Sequence, residues 1–344
     1  MRAMAIHKVS NIAENQRPLA PLELPVPEPG PEEIRIRVRV CGVCHTELDE
    51  IEGRTVPISL PMIPGHQVVG IVDAIGPRVI GHRCGDRVGV GWIASTCGTC
   101  DRCREDQENL CEVFRATGRD RHGGYAEYML AHEHFAYEIP DSVSDSEAAP
   151  LLCAGAIGYR SWQLAGARRS GIIGLMGFGA SNHLVLKLIR NRTPDVEVFV
   201  FARNESEREF ARSLGACWTG DVTDVPPATL DAAIDTTPVW TPVLRAMQYL
   251  RPGGRVVVNA IRKETTDIQV LASLDYEKQL WMEKEIKSVA NVTRTDIRQF
   301  ISIASELDFR PDVQEYDLCD ANRALIELKN RIIRGAKVLR ISGD

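Results

Sequence analysis

The sequence predicts a two-domain α/β protein, and three observations predict it. The chain has 344 residues, more than one domain usually holds. Its first 150 residues carry short β-branched runs broken by Gly and Pro, and beyond them apolar runs of strand length alternate with helix-like segments. Hydrophobic residues make up 44% and charged residues 26%, ordinary globular values that argue against a disordered or fibrous chain.

In the first part, IRIRVRV (34–40) and QVVGIVDAI (67–75) read as strands of an irregular all-β domain. From about residue 150 the strand candidates are IIGLM (172–176), VEVFVFA (196–202), LDAAIDT (230–236), GRVVVNA (254–260) and EIKSVAN (285–291). Helical stretches separate them, and strand, helix, strand is the order of a parallel sheet. Stop signals close the helices: Gly215 after ESEREFARSL, and Pro252-Gly253-Gly254 after TPVLRAMQYL. TRTDIRQFISIASEL (293–307) predicts an amphipathic helix, and KVLRI (337–341) a short extended end.

Lys and Arg number 41 against 47 Asp and Glu, a formal charge of −6, so no global basic field exists to hold nucleic acid or an anionic membrane. A small molecule is the expected partner, with neither nucleic acid nor membrane. No run of 18 apolar residues occurs, and the opening MRAMAIHKVS lacks the apolar stretch of a secretory signal, so the expected compartment is the cytoplasm.

Ten cysteines in a long chain of this kind point to metal rather than disulfides, because four of them crowd into CGTCDRCREDQENLC (97–111). Cys97, Cys100, Cys103 and Cys111 form CxxCxxCx7C. Two-residue gaps let a turn aim successive thiolates at one centre, and four sulfurs make the closed tetrahedral shell of structural zinc. An iron–sulfur cluster is the competing occupant.

Upstream stand CGVCHTELD (41–49) and PGHQVVG (64–70), and later APLLCAG (149–155). In these motifs and their order the chain resembles the zinc-dependent alcohol dehydrogenases of the medium-chain dehydrogenase/reductase superfamily, over essentially its whole length. The resemblance implies a GroES-like irregular β-barrel catalytic domain over 1–152, completed by 295–344, and a Rossmann doubly wound parallel sheet over 153–294. It also implies that Cys44, His66 and Cys153 hold a catalytic zinc, the Cys2His set known for alcohol dehydrogenase. Three protein ligands leave a fourth position for the substrate oxygen, whose hydroxyl pKa the metal lowers. Cys41 receives no metal by this resemblance.

Around that centre the sequence partly departs from the family pattern. Thr46 stands at the position of the hydroxyl that takes the substrate proton, although a threonine there also suits a helix cap. Glu47 stands where the family has the Asp beside the ligand histidine and is expected to orient His66. Gln67 replaces a common Glu, which removes a negative charge and predicts a more electrophilic zinc. Asp49 occupies the place of a relay histidine and is read either as the end of the relay or as a solvated surface acid. His45 resembles a residue that contacts cofactor phosphate in relatives, and Trp92 resembles the aromatic wall of the substrate pocket, where its bulk would favour small or slim alcohols.

IIGLM runs into GFGASNH (177–183), giving GxGxxN in place of GxGxxG. Gly177 permits the tight turn and Gly179 the backbone approach to pyrophosphate at a helix amino terminus, while Asn182 stands where a third glycine would allow close helix packing. NAD enzymes place an acid at the end of the second strand; here that place is Ala202, followed by Arg203. Arg203 beside an uncharged gap suits the 2′-phosphate of NADP, so NADP(H) is expected ahead of NAD(H). Relatives also use an arginine after a glycine near the end, whereas Gly335 is followed by Ala336 and Lys337, the latter at best a point charge.

The expected function is hydride transfer between a nicotinamide cofactor and a small primary or secondary alcohol, aldehyde or ketone, with two zinc ions per chain. Competing readings are an enoyl or quinone reductase of the same superfamily and a non-catalytic zinc-containing binding module. The resemblance further implies a homodimer or homotetramer.

Overall fold

The computed structural model describes residues 1–166, 171–307, 309–330 and 335–342. Two compact units emerge: Met1–Cys153 with Val292–Asp344, and Ala154–Asn291.

The first unit opens with β1 (Arg2–Ile6) and β2 (Leu19–Glu23), which pair antiparallel, then β3 (Glu33–Val43), α1 (His45–Ile51), β4 (Val68–Ile75), β5 (Arg87–Val90) and β6 (Ile93–Ser95). The four-cysteine lobe follows, holding the single-turn α2 (Asp101–Arg104) and closed by β7 (Arg115–Ala116), which pairs with β6. After it come β8 (Tyr128–His132), β9 (Ala136–Glu138) and α3 (Asp145–Pro150).

Period-two patterning sets β3. Along Glu33–Val40, Ile34, Ile36, Val38 and Val40 are buried while Glu33, Arg35, Arg37 and Arg39 are half-exposed. Each inward side chain contributes roughly 1.5–3 kcal/mol of burial.

In the second unit, α4 (Ala156–Leu164) leads to β10 (Gly171–Met176), α5 (Ala180–Arg192), β11 (Val196–Phe201), α6 (Glu205–Ser213), β12 (Trp218–Gly220), β13 (Leu230–Asp235), α7 (Thr241–Tyr249), β14 (Leu250–Val258) and β15 (Glu285–Ser288). The strands form one six-stranded sheet, ordered β12-β11-β10-β13-β14-β15 and parallel throughout. That order reverses between β10 and β13, the switch point where ligands bind at strand carboxyl ends. Alternate residues feed two cores: Ile173, Leu175, Val198, Val200 and Ile234 in one, Met176, Phe199, Phe201, Ala233 and Val256 in the other. Burial on both faces explains the near-continuous apolar runs.

Two expectations for this unit need correcting. The helix before Pro252-Gly253-Gly254 stops at Tyr249, as expected, but the strand starts earlier than GRVVVNA: β14 already includes Leu250 and these three residues, where the pairing with β13 shifts register between Leu230 and Ala232. The run EIKSVAN yields only the four residues of β15, all exposed, because β15 is the edge of the sheet.

The chain then returns to the first unit with α8 (Arg294–Glu306), β16 (Val313–Asp317), α9 (Ala321–Lys329) and β17 (Ala336–Arg340). The strand β17 pairs antiparallel with β3 and parallel with β16, completing a sheet ordered β16-β17-β3-β4-β5-β9, with β8 also paired to β3. Thr293 caps α8 by accepting from the Asp296 backbone N–H at 3.0 Å. Among the described residues no helix is long and apolar enough to cross a membrane.

Glu108 ties the cysteine lobe to α8: its Oε1 accepts from the Arg294 backbone N–H at 2.7 Å and from Nε at 3.0 Å. Burial pushes the Glu108 carboxyl up, but these bonds and the guanidinium charge outweigh it and hold the pKa below the ordinary glutamate value. A carboxylate lowered on folding contributes stability above its unfolded pKa and loses it as pH falls through the folded value. Glu108→Gln is therefore expected to lower Tm at pH 7 and to flatten the loss of stability between about pH 5 and 3. Thermal unfolding across pH checks this, and parallel curves for the two proteins would refute it.

Candidate metal centres and dinucleotide loop

Where β3 ends, Cys44 precedes the first turn of α1. The Glu47 carboxylate makes two contacts there: Oε2 accepts from the Cys44 backbone N–H at 2.7 Å, and Oε1 lies 2.6 Å from His66 Nδ1. A carboxylate accepts, so Nδ1 carries a proton, and in the neutral ring Nε2 is the nitrogen with the lone pair. His66 Nε2 lies 3.2 Å from Cys153 Sγ, and donor atoms of Cys44, His66 and Cys153 all fall within 4.8 Å of one another. Cys153 sits in a π-helical turn, Leu151–Gly155, a widened ring that recurs at functional sites.

The aim of His66 depends on its neighbour. Gly65 has φ +98°, and a Cβ there would lie 2.3 Å from Tyr125 Cδ1 and 2.8 Å from Cys41 Sγ. Its carbonyl accepts from the Gly124 N–H at 2.8 Å, while Pro64 accepts from Tyr125 N–H at 3.0 Å. Thus the segment Gly123-Gly124-Tyr125 braces the histidine loop from behind.

Proton energetics of this trio favour a cation. A hydrogen bond from Cys153 and the nearby His66 pull the Cys44 thiol well down despite burial, whereas the same contact and burial push Cys153 well up. The pair sheds one proton readily and resists losing the second, and a divalent ion supplies the charge that a second thiolate needs. The Glu47 charge raises the His66 pKa against the opposing effect of burial.

Cys97, Cys100, Cys103 and Cys111 likewise lie with their sulfurs within 4.8 Å of one another. Sγ of Cys97 is 3.8 Å from that of Cys103 and 3.7 Å from that of Cys111. A tetrahedral ion with Zn–S bonds of about 2.3 Å requires sulfurs about 3.8 Å apart, so these edges fit zinc. The Cys100 backbone N–H donates to Cys97 Sγ at 3.3 Å, and hydrogen bonds from this turn lower the Cys97 thiol to about 6.

At the carboxyl end of β10 the chain turns through Gly177, φ +80°, where a Cβ would meet Thr237 Cγ2 at 2.9 Å. Around the Cβ position of Gly179 no atom lies within 4 Å, so the backbone that starts α5 is open to a ligand. Asn182 is wholly buried and hydrogen-bonded to the Gly177 carbonyl at 2.8 Å. Ala202 follows the last residue of β11 and is buried, so it offers no side-chain surface, and its carbonyl accepts from Arg208 Nη1 at 2.8 Å. Next to it, Arg203 is exposed, and among the described residues its guanidinium has no hydrogen bond or ion pair.

A probable alcohol dehydrogenase, AdhA, of Mycobacterium tuberculosis (strain CDC 1551 / Oshkosh) is 41% identical over 329 residues, covering 94% of this chain and 93% of that protein. The chain belongs to the zinc-type alcohol dehydrogenases of the medium-chain dehydrogenase/reductase superfamily. Residues 30–141 match the alcohol dehydrogenase GroES-like domain. An alcohol dehydrogenase of Geobacillus stearothermophilus is 29% identical over 347 residues, covering 97% of this chain and 99% of its own length. The solved structure of a cinnamyl alcohol dehydrogenase from Sorghum bicolor superposes with a TM-score of 0.85 at 25% identity, covering 100% of this chain and 98% of that one. The protein is thus an alcohol dehydrogenase-type oxidoreductase with a GroES-like domain and a Rossmann sheet.

In this dehydrogenase the remaining expected residues fall as follows. Thr46 Oγ1 lies 3.7 Å from Cys44 Sγ. His45 is exposed at the start of α1. Trp92 lies 5.3 Å from Phe114, ring centre to ring centre, with the Arg119 guanidinium 5.4 and 5.2 Å from the two rings. The Trp92 indole N–H is buried with no hydrogen-bond partner among the described residues. Gln67 is buried, a neutral amide against Gly42.

Two readings change. Asp49 is not a solvated acid: it is 4% exposed and its carboxylate is committed to Arg54. Lys337 is no point charge for pyrophosphate, since it is 2% exposed and donates to Gln314 Oε1 at 3.0 Å, Tyr316 Oη at 2.5 Å and Glu327 Oε2 at 2.7 Å. A lysine two residues past a glycine carries no sign of burial in sequence; its place in β17 beside β16 decides it.

Sequence reasoning missed Gly123, Gly124 and Tyr125, although the tandem glycine next to an aromatic is a visible signal. It also missed Glu50, one helical turn beyond Glu47 and fully buried with both carboxylate oxygens unpartnered among the described residues. Burial and the Glu47 charge push that carboxyl well up and favour its neutral form.

Gly65→Ala is expected to destabilise the enzyme by ~2–4 kcal/mol, from positive φ and overlap with Tyr125, and to lower its metal content by displacing His66. Thermal unfolding with elemental analysis tests this; unchanged Tm and metal would contradict it.

Proposed function

We propose that the enzyme moves hydride between NADP(H) and a small alcohol or its aldehyde or ketone at a zinc held by Cys44, His66 and Cys153, with a second, structural zinc on Cys97, Cys100, Cys103 and Cys111. The observation that carries this reading is the convergence of two thiol sulfurs and one imidazole nitrogen within 4.8 Å, with Glu47 bonded to the far side of the imidazole. Zinc held by these three residues would supply a Lewis acid for the substrate oxygen. Glu47 fixes the His66 tautomer, and the Thr46 hydroxyl takes and passes on the substrate proton. Trp92, flanked by Phe114 and Arg119, forms a broad wall that favours slim substrates.

NADP(H) is preferred because Ala202 replaces the ribose-binding acid and the exposed guanidinium of Arg203 suits a 2′-phosphate. The compartment we assign is the cytoplasm. A homodimer or homotetramer is favoured by the exposed edge strand β15, where Ile286 is 43% exposed, with Trp281 54% and Met282 51% exposed shortly before it.

Elemental analysis should give about two zinc per chain, falling to about one in both Cys103→Ser and Cys153→Ser, with turnover abolished in Cys153→Ser. One zinc in the wild type, or turnover surviving Cys153→Ser, overturns the assignment. The kcat/KM for NADPH should exceed that for NADH by at least about tenfold, and Arg203→Asp should remove the preference. A wild-type preference for NADH would reverse the cofactor assignment. Ile286→Asp should shift the sedimenting species toward monomer.

A further inference from the structure

The nucleotide loop departs from the usual glycine fingerprint at its third position, and the departing residue is fully engaged. Asn182 lies in the first turn of α5 with 0% exposure. Its Nδ2 donates to the Gly177 carbonyl at 2.8 Å, to Thr236 Oγ1 at 3.2 Å and to the Met176 carbonyl at 3.3 Å. Two of these partners are carbonyl oxygens, so the orientation of the amide follows from them. Thr236 closes the ring: its backbone N–H and its hydroxyl both bond the Met176 carbonyl, at 3.1 and 3.3 Å.

Holding this amide in the interior is costly, because Oδ1 is buried with no hydrogen-bond partner among the described residues. A glycine would avoid the cost. What the asparagine adds is a fixed link between the ends of β10 and β13, the two strands that flank the reversal in sheet order. The same strand ends are knit further by Lys263, which donates to Asp235 and to the Thr237 and Val239 carbonyls, and by Asn259 Nδ2, which donates to Ser181 Oγ at 3.2 Å. These bonds hold the turn from behind, on the side away from the open backbone at Gly179.

We propose that Asn182 is a positioning residue for cofactor binding, holding the Gly177–Gly179 turn in its pyrophosphate-binding conformation through Thr236 before the cofactor arrives. This rests on the dinucleotide-binding reading above. Being buried, Asn182 touches no ligand; it acts by removing the ordering cost that a slack loop would incur on binding.

Calorimetric titration of the purified, zinc-replete enzyme with NADPH tests it. Asn182→Ala and Asn182→Gly are each expected to raise Kd about tenfold, and Thr236→Val about threefold. Combining Asn182→Ala with Thr236→Val should cost less than the two single losses added together, since both changes remove the Asn182–Thr236 bond. In steady-state kinetics the loss should appear in KM for NADPH rather than in kcat. If Asn182→Gly, which restores the usual glycine, binds NADPH as tightly as the wild type, the proposal fails. It also fails if Tm drops while Kd stays constant, the pattern of a purely structural residue. Should the Asn182 variants not fold, an unchanged Kd in Thr236→Val overturns it. A wild type that binds neither NADPH nor NADH would instead refute the cofactor reading itself.

Discussion

One buried carboxylate governs the geometry of the three-donor site. Glu47 accepts from the backbone N–H of Cys44 with one oxygen and holds Nδ1 of His66 with the other, so the start of α1 and the loop after Pro64 are registered through the same group. Fixing the proton on Nδ1 decides which imidazole nitrogen faces the sulfurs, and the position of Cys44 at the foot of the helix decides where the first sulfur lies. A side chain one methylene shorter would have to shift one of these contacts; glutamate satisfies both.

That arrangement is packed as well as bonded. Gly65, with its positive φ, lies against the ring of Tyr125 and the sulfur of Cys41, and its carbonyl pairs with Gly124. Cys41 therefore acts as a small buried hydrophobe, in keeping with its strongly raised thiol pKa, which burial and the Glu47 charge produce. Tyr125 Oη and the Glu50 carboxylate are buried on this same flank without hydrogen-bond partners among the described residues, a concentration of desolvation cost that cores normally avoid.

The second unit solves a similar problem with amides, a hydroxyl and one ion pair. At the reversal of sheet order the ends of β10, β13 and β14 carry Asn182, Thr236, Asp235, Lys263 and Asn259, whose bonds fix the loops to one another. Burial pushes the Asp235 carboxyl up even against Lys263, so this is a desolvated ion pair with further hydrogen bonds, the kind that specifies a geometry more than it adds stability.

Much of this was legible in sequence because the signals are local. Alternation along IRIRVRV identifies β3, the spacing CxxCxxCx7C identifies the sulfur cluster, and a strand running into GxG identifies the start of α5. Motif order also pointed to Cys44, His66 and Cys153, which lie far apart in the chain. What only tertiary structure decided is how groups distant in sequence share their environment. Asp49 is committed to Arg54, Lys337 is enclosed by β16 and α9, Asn182 bonds Thr236 across 54 positions, and Tyr125 presses on Gly65. Burial and hydrogen-bond partnership depend on which strands lie side by side, and periodicity along a single segment carries no information about its neighbours.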